Sequence, residues 1–296
     1  MISTVAQLLA SGVMLGGIYA LMAIGLTLIF GVLRVVNFAH GEFLMLAMYA
    51  AWAATEASGL SAYAAIVLVV PMLFGFGAVV YLLVIRPAID KPHLTVVFAT
   101  MGLSILMQNL ALVLFTADLR DVPPILGGRS LALGPLRLKV ELLLGFLVSV
   151  AVTAALMAFL KHSYIGKAIR CTVQDRDAAM LMGINVPRLF LLTFAAGSAL
   201  VGLAGCIMVP LYSTFPTVGL NFVLIAFVVV VIGGMGSMEG ALLGGISIGL
   251  VQSFSGYYVA PAYGQLFYFM LFLLVVIVRP NGFFGQRGTA MVGINE

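Results

Sequence analysis

The chain has 296 residues, 63% hydrophobic and 8% charged, with a formal net charge of +4. Soluble domains carry about 25% charged residues, so this chain cannot cover a water-exposed surface and the soluble classes are excluded. At ~20 residues per span it has room for roughly eight to ten membrane crossings and none for a sizeable soluble domain; 1–296 reads as a single transmembrane domain.

Apolar runs such as 222–232 are continuous, whereas outer-membrane barrel strands alternate. The expected class is therefore all-α, a polytopic membrane helix bundle of about eight or nine transmembrane helices, with broken or re-entrant segments allowed. Charge-free stretches place helices at 5–33, 41–57, 62–85, 94–116, 140–160, 189–212, 221–236, 240–257 and 264–279. No Lys or Arg precedes Arg34, so the start lacks the charged region of a cleavable signal peptide and the first span is expected to persist.

Lys and Arg set the orientation. The turns 34–40, 86–93, 161–188 and 279–296 hold ten of the fourteen: Arg34, Arg86, Lys91, Lys161, Lys167, Arg170, Arg176, Arg188, Arg279 and Arg287. The positive-inside rule places these turns in the cytoplasm, and span parity agrees, with the N-terminus outside and the C-terminus inside. Arg120, Arg129, Arg137 and Lys139 fall in 117–139, where Pro123-Pro124 and Gly127-Gly128 suggest an irregular external connector. The basic residues form no stripe interleaved with aromatics, so nucleic acid is not an expected partner. Cys171 and Cys206 are far apart and suggest neither a disulfide framework nor a metal site.

Three stretches carry candidate chemistry. The first is a polar knot, Asn37-Phe38-Ala39-His40-Gly41-Glu42, between two apolar runs. As a surface turn it needs no substrate: Glu42 would meet the positive end of the following helix. Buried and wet, Asn37, His40 and Glu42 would line or scaffold a translocation path, because polar groups in lipid demand partners. The second is the glycine-rich run from Gly233, Gly234, Gly236, Ser237 and Glu239 to Gly244-Gly245. It allows either tight helix packing or a pore-lining break. A weak echo links Glu42 with Glu239, each following a polar-glycine turn, but both turns are expected on one side. The third is the basic loop 161–188, in which Asp177 can cap or begin a short helix and Gly183 can end it in the left-handed conformation. Such a helix is either an ordinary surface turn or a peg for a partner's groove.

Enzyme signatures are poor. There is no phosphate-binding loop and no H-E-x-x-H, and His40, His93 and His162 fall in separate turns. The pairs Gly197-Ser198 and Gly236-Ser237 lack a histidine partner for an intramembrane serine hydrolase.

Together, the stretches from Gly25 through Asn37 and His40 to Phe43, Gly166-Lys-Ala-Ile-Arg170, Asp177-Ala178-Ala179-Met-Leu-Met-Gly183, and the glycine run resemble the permease subunits of bacterial branched-chain amino acid ABC importers, over nearly the whole chain. The terminal Arg279-Pro-Asn-Gly-Phe-Phe-Gly also fits. Asp177-Ala178-Ala179-x-x-x-Gly183 is similar to the E-A-A-x-x-x-G loop that docks on the ATPase, with Asp in place of Glu. The resemblance implies a bacterial inner-membrane protein with a paralogous permease, two cytoplasmic ATPases and a periplasmic substrate-binding protein as partners. It also implies that this chain binds no cofactor and that ATP and Mg are used by partner subunits. Gly166, Arg170, Asp177, Ala178, Ala179 and Gly183 would then form the coupling loop. The same family handles urea, short amides and some aromatic acids. An ion-coupled secondary transporter or channel, with His40 and Glu42 carrying protons, is the alternative.

Overall fold

The computed structural model describes residues 2–59, 61–124, 128–134 and 136–285; Gly127 and Arg287, named above, lie outside the described residues. The helices are α1 (Ile2–Leu33), α2 (His40–Ser58), α3 (Ile66–Val80, continued by a π turn, Tyr81–Ile85), α4 (His93–Phe115), α5 (Val140–His162), α6 (Tyr164–Gln174), α7 (Arg176–Leu181), α8 (Val186–Met208), α9 (Val218–Gly233), α10 (Met238–Tyr258) and α11 (Gly264–Val278). Each expected span has its helix, with ends within about four residues, because continuous apolar runs of this length leave the backbone no other way to satisfy itself in lipid. α1, α3 with its π turn, α4, α5 and α8 are long and apolar enough to cross a membrane; α9 and α11 are apolar but shorter. α3, α4 and α5 present exposed apolar side chains such as Val67, Leu83, Val113 and Leu147, as helices facing lipid do. The core lies between α1, α2, α8 and α9.

The turns gather at two ends. At one end Arg34 donates to the Val173 carbonyl (3.4 Å), Arg176 pairs with Asp90 (2.9 Å), and the amides of Phe283 and Phe284 donate to the Ile232 and Gly233 carbonyls (2.9 and 3.0 Å). This is the basic end. At the other, Gln7 donates to the Arg137 carbonyl (2.7 Å), Tyr63 to the Glu141 carbonyl (2.9 Å) and Ser253 to the Leu8 carbonyl (2.9 Å). The grouping is the one charge and parity require.

Two quartets, α1–α4 and α8–α11, therefore run in opposite directions, and their contacts are reciprocal. A Cβ on Gly25 would stand 2.7 Å from the Gly197 carbonyl oxygen, and one on Gly197 would stand 2.8 Å from that of Gly25. α1 crosses α8 at these glycines, and the start of α2 meets the start of α9. Glu42 and Glu239 occupy different places, Glu42 buried within the bundle and Glu239 exposed in the first turn of α10.

Glycines bring α1 and α10 close together. α10 packs antiparallel on α1, where a Cβ on Gly16 would lie 2.5 Å from the Ile246 Cα and one on Gly245 would lie 2.7 Å from the Gly16 carbonyl oxygen. Small residues give membrane helices this approach. The external connector is more ordered than composition suggests. Strands β1 (Ser130–Leu133) and β2 (Leu136–Lys139) pair antiparallel, Ser130 opposite Lys139, across a turn with Gly134 at φ 63°. Alternating leucines in both arms match the period of a strand.

Candidate functional site

The polar knot lies deep in the bundle. α1 ends at Leu33, Arg34 takes a left-handed turn (φ 54°), and residues 34–39 run back alongside the helix. His40 then sits beside Met22, its Nε2–H donating to the Met22 carbonyl at 3.1 Å. Met22 precedes Leu33 by eleven residues, so at 1.5 Å per residue α2 begins roughly 16 Å inside the end of α1. Gly25 makes room for the ring: a Cβ there would stand 3.3 Å from His40 Cε1. Asn37, His40 and Glu42 are each 0% exposed, so the knot is not a surface turn.

Each member is partly satisfied. Asn37 Oδ1 accepts from the Ala39 amide (3.1 Å), closing an Asx turn. Glu42 Oε1 accepts from Ser104 Oγ (3.1 Å) and Gln108 Nε2 (2.7 Å), both on α4. Asn37 Nδ2, His40 Nδ1 and Glu42 Oε2 are buried without a hydrogen-bond partner. Oε2 faces α9, where a Cβ on Gly219 would stand 2.7 Å from it. Gly41 and Gly219 meet reciprocally, a Cβ on either overlapping the carbonyl of the other. Two helices thus meet start to start in mid-bundle, with Glu42 in the first turn of α2 and against the first turn of α9. Each helix start carries about half a positive charge. Among the described residues no Lys or Arg pairs with Glu42, so two helix ends and two neutral donors surround its carboxyl group.

The glycine run is a separate place. Gly236 packs beside Gly31, nine residues beyond Met22 on α1 and so about 14 Å nearer the basic end than His40. A Cβ on Gly233 would overlap the Gly240 backbone, and one on Gly234 (φ 101°) would overlap Gly285. Ser237 caps α10 by accepting from the Gly240 amide (3.1 Å), and Glu239 is exposed in the first turn. Here glycine serves packing.

The basic loop 161–188 is two helices. Ser163 caps α6 by accepting from the Gly166 amide (2.9 Å), and a Cβ on Gly166 would overlap the last turn of α5 at Leu160. Arg170 donates to the free carbonyls of Leu160 and Lys161 there. The cap of α7 is Asp175, which accepts from the amides of Asp177 and Ala178 (both 2.9 Å); Asp177 lies in the first turn, two positions later than a cap. Ala179 is buried, Ala178 exposed, and Gly183 closes the helix in the left-handed region (φ 83°). The peg ends in Leu181 and Met182, 88% and 83% exposed. Arg176 ties it to Asp90 in the α3–α4 turn and lies over the Phe190 ring, 5.5 Å from its centroid and so within cation–π reach.

Sequence reasoning missed Ser104 and Gln108, although two polar residues one helical turn apart in an apolar span were a readable signal. It also missed Leu181 and Met182, apolar residues stranded in a charged loop. Tyr19, Tyr212 and Gln252, joined by hydrogen bonds across three segments, carried no local signal. Among the described residues no cluster of three or more metal-ligating side chains exists.

A bundle of long apolar helices with a helical peg at its basic end is the architecture of a polytopic membrane protein. The family model for the branched-chain amino acid transport system permease component matches residues 8–276, and the chain belongs to that family. It is a multi-pass inner-membrane protein and a permease subunit of an ABC transporter. It is 30% identical to the high-affinity branched-chain amino acid transport system permease protein LivH of Salmonella typhimurium over 295 residues, 95% of each chain. It is also 30% identical to BraD of Pseudomonas aeruginosa, a permease of the same description, over 296 residues and 95% of each chain. Among solved structures it matches PsaBC from Streptococcus pneumoniae in complex with Fab, with a TM-score of 0.51, 16% identity, and coverage of 95% and 97% of the two chains. That last likeness concerns the fold alone.

Proposed function

We propose that this chain conducts branched-chain amino acids, or a related small solute, inward as one of two permeases powered by ATPases on its basic side. The observation that carries the proposal is the α6–α7 peg. It offers Leu181 and Met182 to a partner's groove, runs through Gly183 into α8, and is tied to the α3–α4 turn by the Arg176–Asp90 pair. A push on such a peg moves two membrane helices at once. ATP and Mg would be used by the partner subunits, with a paralogous permease and a periplasmic binding protein completing the assembly. Asn37, His40 and Glu42, buried together at the α2–α9 junction, would line the translocation path or act as the scaffold of its gate. Gly233, Gly234, Gly236, Ser237 and Glu239 would hold the basic ends of α9 and α10.

The test is Leu181→Asp in the assembly reconstituted in vesicles. The variant should melt as the parent does, because the site is exposed, and should lose ATP-driven leucine uptake and retention of the ATPases on purification. Leucine uptake by this chain alone, driven by a proton gradient without ATP, would overturn the proposal in favour of an ion-coupled carrier.

A further inference from the structure

Away from the basic end, α1, α9, α10, α11 and the 209–217 connector enclose an open cavity of about 500 Å³, within the range of small-molecule sites. Its polar wall joins three segments. Tyr19 donates to Gln252 Oε1 (2.8 Å); since its one proton is then used, Tyr212, 3.1 Å away, donates to Tyr19. Tyr268 lines the same space, is 1% exposed, and has a hydroxyl with no hydrogen-bond partner. Asn221 and Gln265 add carboxamides, and Phe222 and Ile225 supply an apolar wall. The rim is fixed where Arg120 and Thr214 exchange backbone hydrogen bonds (2.9 and 2.8 Å), between the lining residues Leu119, Ser213 and Phe215. The floor reaches Val218, the residue before Gly219, so the cavity ends at the junction that Glu42 closes.

We infer that this cavity holds the transported solute on the outer side of the closed junction, and that it takes a small solute of no net charge with an apolar side chain. The inference rests on the transport function proposed above. Among the described residues no Lys, Arg, Asp, Glu or His lines the space, so a solute with net charge would lose water without gaining a counter-charge. Carboxamides and tyrosine hydroxyls both give and accept hydrogen bonds, which suits paired ammonium and carboxylate groups. The unpartnered Tyr268 hydroxyl is a donor awaiting an acceptor, and Phe222 and Ile225 meet an aliphatic side chain.

The test places a thiol at the exposed lining position, Asn221→Cys, in the full ATPase-bound assembly. Labelling by a membrane-impermeant maleimide from the outer side is timed with leucine, glutamate or lysine present. Leucine should slow labelling at least fivefold and the charged amino acids should not. Adding Gln252→Leu, or Gln265→Trp at an exposed position, should abolish that protection. Labelling unaffected by leucine, in an assembly that still takes up leucine with ATP, overturns the site and leaves the transport function standing. Equal protection by glutamate and lysine overturns the neutral class. An assembly with no ATP-driven leucine uptake overturns the transport function and the site with it.

Discussion

The starts of α2 and α9 are built alike and furnished differently. Both begin in mid-bundle after a non-helical approach, from opposite ends of the molecule, and both rely on a glycine, Gly41 or Gly219, to let the other backbone in. The α2 start carries His40 and Glu42, held by Met22, Ser104 and Gln108. The α9 start carries Val218 and Asn221 and borders the cavity. Backbone geometry is shared by the two helix starts, whereas their side chains differ. The α2 start carries an acidic group held by two hydrogen-bond donors, and the α9 start lines the cavity.

The largest expected effect comes from breaking the shared geometry. Gly41→Val and Gly219→Val each drive a side chain into an opposing carbonyl, and backbone cannot yield as a flexible side chain does. Overpacking costs about 1–3 kcal/mol and at times more, so both should lose most of the assembled protein or show the greatest fall in melting temperature in detergent. Similar losses in the two would sustain the equivalence of the two helix starts, and a tolerated Gly219→Val would break it. Next comes the Glu42 carboxyl group. Glu42→Ala strands Ser104 and Gln108 in a buried site, at a cost of about 1–3 kcal/mol. Glu42→Gln keeps an acceptor for both donors and should lose clearly less by the same melting measurement. A Gln variant as damaged as Ala would mean that the charge, not the hydrogen bonds, holds the junction. The smallest effect is at the approach to α2. Arg34→Gly relieves a left-handed residue, worth about 1–2 kcal/mol, but frees the unfolded chain and removes the 3.4 Å bond to Val173. The net change in stability should stay within about 1 kcal/mol.

The membrane spans were legible because long apolar runs have a single solution in lipid and basic turns sort to one side. The depth of the knot was not. Nothing local in Asn37 to Glu42 says that His40 reaches back to Met22; that follows from Gly25, Gly197 and Gly219 opening room on helices distant in sequence. The same holds for the partners of Glu42, since a match between α2 and α4 exists only after folding. Asp177 was read as capping or beginning the short helix, and it begins it; the cap itself is Asp175, since either Asp has a short acceptor near free amides and only backbone geometry separates them. The β1–β2 hairpin was passed over because Pro and Gly drew attention to irregularity while the leucine alternation beside them went unread.

The doubling back of residues 34–39 bears on how the chain is made. A ribosome delivers α1 and α2 long before Ser104, Gln108 or Gly219 exists, so the carboxyl group of Glu42 enters the bilayer with none of its final neighbours. The α2–α9 junction can therefore close only after about three-quarters of the polypeptide has emerged, and nascent chains halted before α9 should be the ones that quality-control proteases recognise.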